Sequence, residues 1–381
     1  MLRHAYGRVS LSLVLLCLAL AASAQSLRTT SPERVGLSTE RLERLSDALE
    51  GYVENGQVAG SVTLVARRGR IAYFETFGQR DREANAPMQA DAIFRIASQS
   101  KAIVSVAAMT LVEEGKLLLT DPVGKYLPEL MQTKVAVARE GGGYDIVNAA
   151  RPITVRDLLT HTSGFGYGNG VGGDLWQAAE QTGYYFADRD ETIRDSVRRI
   201  ATLPAHAQPG TQWIYGYNTD ILGALVEVVA GQPLDEILRE RIFEPLGMRD
   251  TEFYLSPGKN DRLAAVYSMN DGMLERAPTP GNAVGQGHYV EGPRKNFSGG
   301  AGLLSTAIDY ARFLQMVLNG GGLDGRRILS RKTVELMTTS HLGDIPYNAG
   351  QGFGLGFYVV EDLGARGSPG SVGEFGWGGA Y

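Results

Sequence analysis

The stretch that most limits how this chain can fold runs from Ala102 to Val112, where only Ser105 and Thr110 are polar. An apolar segment of that length and density fits a helix enclosed on every side, not one lying on a surface. Gly115, following Glu113 and Glu114, is a natural C-terminal stop. Such a helix must be wrapped by the rest of the chain, so whatever stands at its entrance is carried into the interior. The entrance reads Phe94-Arg-Ile-Ala-Ser98-Gln-Ser-Lys101. Ser98 and Lys101 are three positions apart and share one helical face. Burial favours a neutral amine over an ammonium. A neutral amine one turn from a hydroxyl can serve as general base for a serine nucleophile.

The spacing is that of the S-x-x-K motif of active-site serine hydrolases that use lysine in place of histidine. It is short, and the chain carries a second copy, Ser256-Pro-Gly-Lys259. There Pro257 and Gly258 make a loop that cannot hold the two side chains together. For Ser98 itself the competing reading is a helix N-cap beside a solvated lysine. What decides between them is whether the rest of the chain supplies partners.

The first 24 residues read as an export signal: Arg3 and Arg8, an apolar run from Leu11 to Ala21, and the Ala22-Ser23-Ala24 cleavage pattern. The run is too short for a membrane span. Cys17, the single cysteine, leaves with this segment, so no disulfide is available and the exported chain must rely on its core. The length suits two lobes. Lysine plus arginine number 37 against 42 acidic residues, a net charge of −5. With no basic stripe, nucleic acid is not an expected partner. His161, His206, His288 and His341 fall in no metal-ligand spacing, so neither a metal nor another cofactor is expected. Glycine is abundant, 49 residues beside 43% hydrophobic content, which points to many tight loops and not to disorder.

In chain order, Ser38 is placed to cap a helix with Leu42, Leu45, Leu49, Tyr52 and Val53 on its apolar face. Residues 61–66 and 71–77 read as two strands joined by the Arg-Arg-Gly-Arg turn at 67–70. From Thr120 to about Gly300 the pattern is mainly helices and loops. Thr154-x-x-Asp157 is a capping box, Glu191–Leu203 a helix stopped by Pro204, and Asn218–Ala230 a helix ended by Gly231. Glycine-rich segments at 164–173 and 281–302 look like loops lying over something. Thr306 caps a further helix. Residues 353–360 and 372–377 then read as strands in which the sheet resumes.

Beyond the S-x-x-K stretch, the chain contains Leu158-Leu-Thr-His-Thr-Ser-Gly-Phe165, Pro209-Gly-Thr-Gln-Trp-Ile-Tyr215 and Gly231-Gln-Pro-Leu-Asp235. Glu244-Pro-Leu-Gly-Met248, Gly299-Gly-Ala-Gly-Leu303 and Trp377-Gly-Gly379 follow. In these segments and their order the chain resembles the serine β-lactamase and penicillin-binding-protein superfamily. The likeness is specifically to class C β-lactamases and the related family VIII carboxylesterases. It implies an α+β fold, an antiparallel sheet flanked by helices plus a mainly helical lobe. Residues 25–95 and 300–381 would form the α/β lobe and 96–299 the helical one. In the family a further strand and a closing helix follow the third motif, so the resemblance implies a copy truncated at its C-terminal end.

The resemblance also assigns roles. Ser98 would be the nucleophile, Lys101 the base and Tyr215 the proton shuttle. Two residues after Tyr215 the family's asparagine is replaced by Tyr217, and Asn218, one place late, reads better as the N-cap of the next helix. Where β-lactamases carry Lys-Thr-Gly, this chain has Trp377-Gly378-Gly379. An anionic drug would lose a charge-assisted contact there, and an apolar ester would gain an indole. The backbone N–H groups of Ser98 and Ala380 would form the oxyanion hole. His161 is expected to organise a helix-ending turn. No Gly-x-Ser-x-Gly elbow is present, which disfavours an α/β-hydrolase. The expectation is an exported, periplasmic or secreted serine hydrolase acting through an acyl-enzyme on small esters or amides. Its alternatives are a β-lactamase or D-alanyl-D-alanine carboxypeptidase, and a catalytically idle peptidoglycan-binding module.

Overall fold

The structure is a computed structural model and describes residues 27–281 and 283–381. The proposed export segment, 1–24, lies outside the described residues. Helix α1 (Thr39–Glu54) begins where expected, with the Ser38 hydroxyl accepting from the Arg41 N–H. A long antiparallel hairpin follows, β1 (Gly60–Arg67) and β2 (Arg70–Asp81), with a register shift at Val65/Ala66. The Ser46 hydroxyl ties α1 to β2 through Tyr73 (2.9 Å) and Glu75 (2.8 Å). Arg28 and Thr29 pair parallel to β2, so the hairpin sheet carries one parallel edge that the sequence pattern did not announce.

Strand β3 (Phe94–Arg95) passes through a 3₁₀ turn, Ala97–Gln99, into α2 (Ser100–Glu113). Every α2 residue from Ser100 to Leu111 is buried. Each fully enclosed aliphatic side chain contributes on the order of 1.5–3 kcal/mol, which makes this helix the hub of the core. Gly115 ends it at φ 68°. Two short hairpins interrupt the region expected to be mainly helices and loops. The first, β4 (Lys134–Ala138) with β5 (Tyr144–Asn148), is mostly exposed on its second strand. Exposure explains why no clean apolar alternation marked it.

Thr154 and Thr192 form full capping boxes with Asp157 and Asp195 at the starts of α3 (Val155–Leu159) and α4 (Ile193–Ala201). Helix α4 ends ahead of the expected Leu203, because residues approaching Pro204 are pushed away from helical angles. Helix α5 (Asn218–Ala230) ends at Gly231, φ 73°, and packs against α2. The second hairpin, β6 (Tyr267–Asn270) with β7 (Met273–Arg276), turns on Asp271-Gly272, both left-handed.

Strand β8 (Leu304–Ser305) pairs with β3, Leu304 opposite Arg95, which brings the glycine-rich loop ending at Gly302 to the entrance of α2. Thr306 caps α6 (Ala307–Leu318), which lies against β1. The single strand read at 353–360 is two, β9 (Gln351–Phe353) and β10 (Tyr358–Val360), folded back with Phe353 opposite Tyr358. Gly356 (φ 92°) makes the reversal, and a Cβ there would stand 2.3 Å from Ser105 Oγ. The strand read at 372–377 contracts to β11 (Phe375–Gly376), and the ladder β9–β10–β11 is separate from the first sheet. No helix among the described residues is long and apolar enough to cross a membrane.

Candidate active site

Ser98 sits in the 3₁₀ turn immediately after Ala97, whose φ of 41° is left-handed although it is not glycine. Such a conformation costs roughly 1–3 kcal/mol and persists only where its surroundings enforce it. One turn on, the Lys101 side chain is buried, at 1% exposure. Its Nζ donates to the Gly300 carbonyl (2.6 Å), the Tyr167 hydroxyl (3.1 Å) and Ser98 Oγ (3.3 Å). An ammonium fills all three contacts with its hydrogens. A neutral amine has two hydrogens and one lone pair, so the lone pair is free to accept the hydrogen of a neighbouring hydroxyl, while the carbonyl keeps a donor.

The structure separates the two tyrosines of the second motif. Tyr215 lines one cleft with Ser98, and the face of its ring stands 4.6 Å from Lys101 Nζ. It stacks on Trp213 at 5.8 Å and 7°. Tyr217 is buried, donates its hydroxyl to the Gly183 carbonyl (2.6 Å) and stacks on Trp176. Burial pushes its phenol well up. Asn218, expected as an N-cap, is the first helical residue instead, and Tyr217 is the cap. Its amide nitrogen donates to the carbonyls of Phe165 (3.0 Å) and Ile214 (3.1 Å), and its oxygen accepts from Ser163. Buried among complementary groups, the side chain is worth more as a cross-link between two loops than as a cap.

Sequence reasoning missed Tyr167. It lies in the glycine-rich 164–173 loop, whose composition signalled a close approach without saying which side chain makes it. Its ring meets Tyr215 edge-on at 5.5 Å and 87°. Burial first, then Asp220, holds its phenol far above the usual range. His161 takes the turn position after α3, at φ 57°, where its carbonyl accepts the Ile214 N–H (2.8 Å). Burial and then Lys101 hold its imidazole well below the usual value, so it stays neutral near pH 7. Its ring stacks beside Trp377 at 6.4 Å and 19°.

Trp377 also meets Tyr215 (5.4 Å) and Phe353 (5.3 Å). A Cβ on Gly379 would stand 2.3 Å from the Ile96 carbonyl, so glycine lets the 377–380 segment lie against the turn that carries Ser98. The resulting cleft, about 870 Å³, is lined by Ser98, Trp213, Tyr215, Tyr347, Trp377 and Gly378–Ala380 among others, and none of its lining residues is charged. A second cavity of about 780 Å³ shares no residue with it and contains the other S-x-x-K pair. There Ser256 is bonded to the Glu252 carboxylate, and Lys259 is paired with Asp250 (3.2 Å) and Glu252 (3.1 Å). Its serine and lysine are engaged by carboxylates and not by each other.

The Beta-lactamase family model matches residues 45–381. The chain is 38% identical over 340 residues to Protein Rv1367c of Mycobacterium tuberculosis (strain ATCC 25618 / H37Rv), covering 86% of this chain and 82% of that one. It is 32% identical over 358 residues to Esterase EstB of Burkholderia gladioli, covering 89% and 85%. Among solved structures, EstCE1, described as a hydrolase with promiscuous acyltransferase activity, superposes with a TM-score of 0.75 at 30% identity over 89% and 88% of the two chains.

Proposed function

The chain belongs to the beta-lactamase family and is a serine hydrolase, and from that premise we propose that it cleaves small, uncharged carboxylic esters through an acyl-enzyme on Ser98. The observation that carries the reading is the Lys101 amine, 3.3 Å from Ser98 Oγ, at the base of a cleft with aromatic walls and no charged lining residue. Ser98 Oγ attacks the ester carbonyl while Lys101 takes its proton. The carbonyl oxygen becomes an oxyanion held by the Ser98 and Ala380 N–H groups. Collapse breaks the bond to the alcohol, which leaves with a proton delivered through Tyr215. Water, activated by the same pair, then attacks the acyl-enzyme and releases the acid and free Ser98. The family resemblance supports the roles of Tyr215 and Ala380.

Trp377 stands where a β-lactamase places a lysine, and a carboxylate-bearing drug finds no cation in the cleft to meet it. The reading is tested with p-nitrophenyl butyrate and nitrocefin. Ester kcat/KM exceeding that for nitrocefin by a wide margin is expected, with Ser98→Ala inactive and Ser256→Ala unaffected. Comparable values for the two substrates would favour β-lactam or peptide substrates instead. Activity undiminished in Ser98→Ala would remove the site assignment. The same proposal places the working enzyme in the periplasm or outside the cell, on the strength of the N-terminal pattern. N-terminal sequencing of the exported protein should then begin at Gln25.

A further inference from the structure

One buried carboxylate beside the candidate site takes no part in the chemistry above. Asp220, in the first turn of α5, is fully enclosed. Its Oδ1 accepts from Ser298 Oγ (2.6 Å) and from the Gly300 N–H (3.0 Å). The other face of that residue is the carbonyl that receives Lys101 Nζ at 2.6 Å. One glycine thus joins the acid to the amine, its N–H held by one and its C=O by the other. Ser298 completes the seat by accepting from the Ala301 N–H (3.2 Å). A Cβ on Gly300 would stand 2.3 Å from Asp220 Oδ2, so the loop can close on the carboxylate only because residue 300 has no side chain.

We propose that Asp220 is a positioning residue for Lys101, aiming the amine at Ser98 through the Gly300 peptide and setting the electrostatic field in which it works. This rests on the Ser98–Lys101 reading above. The groups facing the pair come from several elements. Tyr167 and His161 lie in the loop after α3, Tyr215 and Tyr217 precede α5, and Arg189 acts from further along the chain. Tyr167 and His161 are kept uncharged by burial, and Arg189 lies near Glu191 (3.8 Å). Asp220 is the acid of this set. Burial raises its carboxyl while Lys101, Ser298 and Gly300 pull the other way.

The test compares wild type, Asp220→Asn and Ser298→Ala in kcat/KM for p-nitrophenyl butyrate across pH, with Ser98 labelling by a fluorophosphonate probe as reference. Asparagine keeps the acceptor for Ser298 and Gly300 but removes the charge. Its plateau is expected to fall about 10- to 100-fold, the loss typical of small misplacements. Its acid limb should move to lower pH, because a neighbouring negative charge no longer favours the protonated form of the base. A purely structural role would lower the plateau and leave the limb in place, and that outcome overturns the proposal. Should Asp220→Asn fail to fold, Ser298→Ala carries the test: kcat should fall about 3- to 30-fold with KM held, as expected for a weakened bond to a charged group. Wild-type kcat in Ser298→Ala would then refute the role. If wild type itself fails to label at Ser98, the underlying reading fails, and the labelling distinguishes that from failure of the Asp220 role.

Discussion

Three tyrosines crowd Lys101 and its neighbours, and phenylalanine at each should give a different result. Tyr167 offers its hydroxyl oxygen to Lys101 Nζ at 3.1 Å. A hydrogen bond to a neutral amine is worth roughly 0.5–1.5 kcal/mol, about 2- to 13-fold in rate. Lys101 keeps the Gly300 carbonyl as its shortest contact (2.6 Å), so the amine is still oriented and Tyr167→Phe should cost about tenfold at most. Tyr215 lines the cleft with Ser98 and turns its ring face to the amine. In the proposed mechanism its hydroxyl carries a proton, and losing it should cost about 10²- to 10⁴-fold. The Tyr217 hydroxyl donates to the Gly183 carbonyl and meets Gln181, not Lys101, so Tyr217→Phe should cost about 1 kcal/mol of stability and leave turnover nearly intact. The assay is kcat/KM for p-nitrophenyl butyrate on protein whose urea midpoint has been measured, so that folding and catalysis are scored separately. A loss at Tyr167 equal to that at Tyr215 would mean that the phenol beside the amine carries the proton. A loss at Tyr217 equal to that at Tyr215 would show the second motif to be misaligned.

Lys101→Arg should be nearly as damaging as Lys101→Ala, because a guanidinium cannot give up its proton to become a base; pre-steady-state acylation of Ser98 in the two variants checks this, and near-wild-type acylation by the arginine variant would exclude the neutral-amine mechanism. Asp157 predicts an acid-linked loss of stability. Its buried carboxylate takes two bonds from Arg151 (2.6 and 2.8 Å), two from Thr154 through its N–H (2.8 Å) and hydroxyl (2.7 Å), and one from Thr162 (3.0 Å). Burial alone would raise its pKa, but the bonds from Arg151 and Thr154 outweigh it and the net shift is downward. A depressed folded value means that this stabilisation is complete above the ordinary carboxylate range and disappears as pH falls through the folded value. Asp157→Asn should therefore cost about 2 to 3 kcal/mol near pH 6, below the usual figure for breaking a buried pair because Arg151 retains water. The gap in urea midpoints should close toward pH 3, and a gap independent of pH would refute the linkage.

What the sequence made legible follows from how local each signal is. Ser38, Thr154 and Thr306 are caps that act within one turn, and all three appear at the positions read for them. The buried helix was legible because density of apolar residues needs no knowledge of partners. The 353–360 segment failed for the opposite reason. Phe353, Leu355, Phe357 and Val359 alternate like one strand, and the reversal at Gly356 depends on Ser105 and Leu159 lying far away in the chain. Asn218 was misplaced by similar logic: asparagine favours caps locally, but here Ser163, Phe165 and Ile214 supply a better set of partners. Tyr167 and Asp220 lie outside any short spacing with Lys101. Only the closed loops bring them there.

The Gly300 carbonyl and Lys101 are 199 positions apart, and Tyr167 stands 66 from the same amine. Contacts of that span form late, because the entropy of closing such loops must be met before the contact returns anything. Helix α2 can gain its backbone bonds early, but the amine at its entrance gains two of its three acceptors, the Gly300 carbonyl and the Tyr167 hydroxyl, only when both distant loops have docked. A half-folded chain would then have its serine and lysine in place at the entrance of a helix and yet be chemically inert, with a reactivity no greater than that of an ordinary surface serine. In a refolding experiment, phosphonate capture at Ser98 would trail the far-ultraviolet signal, reporting closure of the two loops and not the appearance of helix.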